Sequence, residues 1–210
     1  RLRTVTGVQT CALPILKAAL VVMGTHGVKG MQKIMGSYAL RVITNSKAPY
    51  IVVQKKPFAS HGYKNIVLPM DFTRETKQKL AWAVYLAKLF NSKCHLLAEY
   101  SSDEFIAKSI KNNIAYSIAT LEDNDVKDVI VYELTKSAGD FDKATINYAK
   151  NINADLIVVM TTLDKSISEY IAGPYEQRII ANEAEIPVLT IKPVDITKMV
   201  EGFSIMYFGS

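Results

Sequence analysis

Cysteine is scarce in this 210-residue chain, which holds two, Cys11 and Cys94. They stand far apart in no metal-binding spacing, and Cys94 lies in an apolar strand pattern that reads as core. The expected compartment is the reducing cytoplasm. Long apolar runs are also missing: none reaches the ~18 residues that a membrane span needs. The opening Arg-Leu-Arg followed by an apolar stretch imitates a signal peptide. Lys17 breaks that stretch, and a glycine turn follows where a cleavage site would stand, so export is not expected. Blocks of like charge are absent too. The net charge is +5, yet the longest lysine run is Lys55-Lys56 and no aromatics interleave with the basic residues. That pattern gives a solvated basic surface rather than a nucleic-acid footprint. No catalytic base, metal cluster or P-loop lysine stands out. Two of the three histidines have ordinary readings, His61 as a solvated loop residue and His95 as a packed strand residue.

What is present centres on residues 23–46. The apolar run 18–23 stops abruptly at Gly24-Thr25-His26-Gly27, and Gly36-Ser37 then opens a helical segment. Strand, glycine turn and helix start is how α/β proteins present main-chain N–H groups to a phosphate, with Ser37 able to cap the helix and bond a phosphate oxygen.

Taken in order, residues 1–15 show no period and resemble a translated sequencing adapter, which would leave the remainder a C-terminal fragment. Residues 16–56 read as strand (about 18–23), glycine turn, helix (about 37–45) and strand (about 50–54). Residues 57–63 contain Pro57, Ser60 and Gly62 and read as a linker. A complete alternation follows over 64–193. Strands are expected at 65–69, 93–100, 128–134, 155–160 and 187–191. Between them fall three amphipathic helices. The first is capped by Thr73 and buries Leu80, Val84, Ala87 and Phe90. The second buries Ile106, Ile110, Ile114, Ile118 and Leu121. The third is capped by Asp140 and buries Phe141, Ala144, Tyr148 and Ile152. This is an α/β pattern with a parallel sheet and helices on both faces. Residues 194–210 form a tail without clear period.

The two halves repeat. With Met23 placed on Met160, Gly36 meets Gly173, Tyr38 meets Tyr175, Arg41 meets Arg178, Ile43 meets Ile180 and Asn45 meets Asn182. One inserted residue later Pro49 meets Pro187. A shared offset over more than twenty positions implies duplicated units, the first represented by its C-terminal third. The copies differ where a phosphate would rest: Gly24 becomes Thr161, Gly27 becomes Asp164 and Ser37 becomes Pro174. An aspartate repels an anion, and proline removes a donor.

Carried by Gly24, Gly27, Gly36 and Ser37, the segment resembles the ATP-binding signature of the universal stress protein family, in its tandem form. The spacer between Gly27 and Gly36 is one residue shorter than the family's usual one. Asp71, ending Asn-Ile-Val-Leu-Pro-Met-Asp, resembles the family's adenosine-contacting Asp. The resemblance implies a Rossmann-like or flavodoxin-like sheet of five parallel strands, order 3-2-1-4-5, with nucleotide at the strand C-terminal ends. It also implies pairing through fifth strands, within the chain or in a homodimer, which here sets Tyr50 to Gln54 against Pro187 to Ile191. The expected ligand is ATP or AMP, with Mg accompanying ATP, held by Gly24, Thr25, His26, Gly27, Gly36 and Ser37, while Asp71 belongs to a degenerate second site. The expected role is a stress-response sensor rather than an enzyme. The alternative is a nucleotide-free interaction scaffold, and an enzyme on the same fold would need a catalytic cluster. A fragment is expected to bind ATP weakly or not at all and to expose an apolar edge at 18–23.

Overall fold

The computed structural model describes residues 19–24, 43, 48–54, 61–135, 140–161 and 178–193. Seven strands appear among them: β1 Val21–Gly24, β2 Tyr50–Val53, β3 Asn65–Met70, β4 Lys93–Ala98, β5 Val129–Glu133, β6 Leu156–Met160 and β7 Val188–Ile191. They form one sheet in the order β1-β2-β7-β6-β3-β4-β5. Within it, β5-β4-β3-β6-β7 follows the expected order 3-2-1-4-5. The five strands expected of the complete unit are β3 to β7, and β1 and β2 continue the same sheet beyond β7 through the expected pairing of residues 50–54 with 187–191. Every neighbouring pair is parallel except β2 and β7, which run antiparallel.

The β2–β7 register pairs Tyr50 with Thr190, Ile51 with Leu189 and Val52 with Val188. Counting from the aligned prolines, Ile51 and Leu189 are equivalent positions, so the ladder is symmetric about that pair. Gln54 tightens the junction, its Nε2 donating to the carbonyls of Ile180 and Asn182 at 3.2 and 3.0 Å.

Successive strand residues face opposite sides of a sheet, and here each side has its own core. Ile66, Leu68 and Met70 of β3, with Leu156 and Val158 of β6, meet helices on one face. Val67, Ile157 and Val159 meet the other. The first face is covered by α1 (Leu80–Phe90), which continues a 3-10 turn at Glu75–Lys79, and by α2 (Glu104–Asp123). The second is covered by α3 (Phe141–Asn151) and a helical turn at 178–180. Ile43 is helical and buried in the same core as its repeat equivalent Ile180. Each such side chain, fully withdrawn from water, contributes about 1.5–3 kcal/mol before entropy is counted.

Neither expected cap, Thr73 or Asp140, bonds a main-chain amide of its helix, and the side-chain cap that is made belongs to α2. Asp103 starts α2 with its Oδ1 accepting from Ile106 N at 2.9 Å. Thr73 caps nothing: the first helix begins later as the 3-10 turn, and Thr73 bonds Asp71 instead. Asp140 holds the N-cap position of α3, but its carboxylate meets Lys143 at 2.6 Å and Arg178 at 3.7 Å instead of a main-chain amide. The buried face of α3 is also shifted, to Asp142, Thr145, Ile146 and Ala149, leaving Phe141, Ala144, Tyr148 and Ile152 half-buried. The polar members are tolerated because Arg178 Nε donates to Asp142 and Thr145 Oγ1 donates to the Phe141 carbonyl.

The entry to β3 is fixed at the opposite end from the helix starts. Asp155 Oδ2 accepts from Lys64 N and Asn65 N, both at 2.9 Å. Gly62 has φ +74°, and a Cβ there would fall 2.3 Å from the Phe90 ring, so only glycine fits this turn. Tyr63 then stacks edge-on against Phe90, ring centroids 5.4 Å apart.

Candidate functional site

In an open parallel sheet, ligands collect beyond the strand C-termini where the order reverses. Here that point lies at the ends of β3 and β6. Asp71 follows β3 directly, and its Oδ1 accepts from Thr73 N at 2.8 Å and Thr73 Oγ1 at 2.6 Å, a local Asx turn. Asn113, buried on α2, clamps the same loop, donating through Nδ2 to the Asp71 and Thr73 carbonyls, each at 2.9 Å. Below it Lys79 is buried at the end of the 3-10 turn, which packs against β6, and its Nζ donates to the Pro69 carbonyl. Burial lowers the lysine pKa to about 8, against the opposing pull of the Asp71 carboxylate. Glu99 follows β4, and its N–H donates to the Met70 carbonyl at 3.0 Å. Its carboxyl is pushed up by burial first and by Asp71 second. On the other side of the switch point Thr161 closes the end of β6: it is buried, and its N–H donates to the Ile191 carbonyl at 2.8 Å.

Of the residues expected to hold a ligand, Gly24 and Asp71 are described, while Thr25, His26, Gly27, Gly36 and Ser37 lie outside the described residues. Gly24 ends β1. A Cβ built there meets nothing within 4 Å, and its φ is not positive. The fold's own packing therefore does not demand glycine at that position. Because β2 and β7 are antiparallel, the C-terminal ends of β1 and β3 point to opposite ends of the sheet. Gly24 and Asp71 therefore stand on separate rims.

Lys79, Glu99 and Asn113 were not singled out from sequence. A signal for Lys79 existed, since it shares the helical stripe of Leu80, Ala83 and Leu86, where an amine is out of place. His95 and His61 take the bland roles expected of them. The His95 ring is held between Tyr148 Oη at 3.0 Å and Asn65 Oδ1 at 3.4 Å, its pKa lowered by burial and by Lys93. The half-exposed His61 meets Asp155 at 3.4 Å. Cys94 is buried and its thiol is pushed up to about 12 by desolvation, which leaves it inert. Among the described residues no three of His, Cys, Asp and Glu group to hold a metal, and no helix is long and apolar enough to cross a membrane.

Residues 62–192 match the profile of the universal stress protein family, more than half of the chain. The chain belongs to the universal stress protein family. Solved structures show the same fold at low identity. A universal stress protein from Archaeoglobus fulgidus superposes with a TM-score of 0.68 at 19% identity, over 87% of this chain and 65% of that one. A Pseudomonas aeruginosa protein assigned to the same family gives 0.65 at 15% identity, over 93% and 71%. A universal stress protein solved in complex with cAMP gives 0.51 at 17% identity, over 63% and 98%. This universal stress protein thus spans about two thirds of the length of the first two structures. Comparison with curated proteins finds no match.

Proposed function

We propose that this universal stress protein binds an adenine nucleotide, ATP or AMP, at the rim that begins with Gly24, and acts as a nucleotide-responsive regulator of the stress response rather than as an enzyme. The observation that carries this reading is the contrast between aligned strand ends. Gly24, the last residue of β1, opens onto empty space, whereas Thr161, aligned with it in sequence but one residue further along by strand register, is buried and its amide is bonded to Ile191. An anion resting on main-chain amides needs the first arrangement. In this reading Gly24, Thr25, His26 and Gly27 supply amides, and Gly36 with Ser37 supplies a helix start. Mg would accompany ATP. Asp71 serves the second, degenerate site, where a ribose hydroxyl would have to compete with Thr73 for the carboxylate. Family membership and a related fold solved with cAMP support the ligand class.

Calorimetric titration with ATP, AMP and GTP tests it. The expected result is weak, adenine-selective binding, reduced about tenfold by Gly24→Ala with no loss of fold. Absence of heat at millimolar ATP and AMP, or a Gly24→Ala chain that binds as well as the parent, would overturn it. Phosphate release from Mg-ATP above the blank would show an enzyme instead. The internally satisfied Asp71 and Thr161 favour a second reading, a nucleotide-free interaction scaffold, which predicts no heat with any nucleotide.

A further inference from the structure

A separate cavity of about 350 Å³ opens beside the ends of β4 and β5, on the far side of β4 from the switch point. Its floor is apolar. Ala107, Ile110 and Ile114 recur at helical spacing along α2, and Ala98 and Leu134 close it from the sheet. Three charged side chains stand around this floor, Glu99, Glu133 and Lys111, and the Tyr100 phenol also lines it. Glu133 pairs with Ala98 in the β4–β5 register, one residue before Glu99, so the two carboxylates arise from adjacent strand ends. Among the described residues, none of the three makes an ion pair or a side-chain hydrogen bond. Lys111 is exposed on α2 and free to turn to solvent.

A half-buried carboxylate without a partner is costly, and Glu99 bears the mark of this, its carboxyl being raised by burial and by the Asp71 charge. Two carboxylates against one lysine leave the cavity with an excess negative charge over an apolar floor. An anion such as a nucleotide phosphate would be repelled here, and a purely apolar ligand would leave Glu99 buried without a counter-charge. An ammonium group attached to an apolar body satisfies both the wall and the floor, and the volume lies in the range of small-ligand sites.

We propose that this cavity is a binding site for a small primary amine with an apolar body, its ammonium placed between Glu99 and Glu133. The proposal does not depend on nucleotide binding and is tested without nucleotide. The full chain is titrated with phenethylamine, phenylalanine, 2-phenylethanol and 3-phenylpropionate, following the Ala107 and Ile110 amide resonances. Phenethylamine should bind at least about tenfold more tightly than the neutral alcohol, and the carboxylate should not bind. Glu99→Gln should weaken the amine about tenfold and Glu133→Gln by less, with the alcohol unaffected. In the unaltered chain the affinity for the amine should fall as pH drops through the raised Glu99 pKa, which tests the ion pair even if a variant misfolds. Phenylalanine binding as well as phenethylamine would support the proposal with a free amino acid as the source. Equal binding of alcohol and amine, no shift with millimolar amine, or an affinity indifferent to both Glu99→Gln and pH would overturn it.

Discussion

Val21-Val22-Met23 and Val158-Val159-Met160 are the same tripeptide at aligned positions of the repeat, and the structure treats them differently. In β6, Val158 and Val159 are completely buried, with β3 and β7 on either side and helices on both faces. In β1 the same residues alternate between half-buried and exposed. Val22 is 66% exposed, whereas Val158, its counterpart by strand register, is 0% exposed, because β1 pairs with β2 alone and forms the edge of the sheet. Beyond them, Gly24 ends β1 in open space, while Thr161, the residue after β6, is buried. Identical residues thus make a core strand or an edge strand according to their neighbours, and an edge strand end is where a ligand can approach.

Breaking this comparison should be easiest with charge. Val159→Asp should cost more than ~4 kcal/mol or abolish folding, whereas Val22→Asp should stay within ~1 kcal/mol, as read from urea midpoints of the two variants. Comparable losses would mean that the edge of β1 is covered in solution.

The depth of the β6 core can be sharpened through Lys79, which packs against it. Its folded pKa of about 8 lies below the ordinary 10.5. Below pH 8 the folded chain therefore carries the penalty of a buried ammonium. Between pH 8 and 10.5 the unfolded chain still holds a proton that the folded one has shed, so stability rises with pH across that window. Lys79→Met should gain about 2 kcal/mol at pH 7 and flatten that rise, measured as the difference between the two chains' stability curves. A variant destabilised at pH 7 would show that the ammonium is better satisfied than its Pro69 contact suggests.

The smallest effect belongs to the strand ends themselves. Thr161→Ala should lose about 1 kcal/mol, since it empties a buried position, and Gly24→Ala should change stability by less than ~0.5 kcal/mol. A marked loss on Gly24→Ala would place unseen packing at the β1 end and would remove the reason to read that glycine as kept for a ligand.

Much of the architecture was legible in the chain. Alternating strand and helix patterns located β3 through β7, and the isoleucine stripe of α2 was read correctly at Ile110, Ile114 and Leu121. Hydrophobic periodicity could do this because burial in a two-faced sheet repeats every two residues and burial along a helix every three or four. Other features left no periodic trace. β5 is nearly as apolar as β6, yet Ile130, Val131 and Tyr132 are exposed, because β5 is the other edge of the sheet. The face of α3 was misplaced by about one residue because its most buried members, Asp142 and Thr145, are polar and hidden only through Arg178 and a main-chain carbonyl. Thr73 looked like a cap because threonine before a helix usually is one, but Asp71 two residues earlier captured it. At the switch point the position of Asp71 after β3 was legible, and the groups that set its surroundings, Lys79, Glu99 and Asn113, were not.

By itself the sequence determined which segments are strands and helices, that residues 23–49 and 160–187 share a residue pattern, and that Asp71 and Gly24 stand at strand ends. It could do so because local periodicity and turn chemistry are written in neighbouring residues. Only the tertiary structure decided which strands lie inside and which at the edge, that β2 meets β7 antiparallel so that the two rims face opposite ways, and that three charged side chains surround one apolar hollow. Those outcomes depend on which segments meet across the sheet, and pairing between distant segments leaves no mark on either one alone.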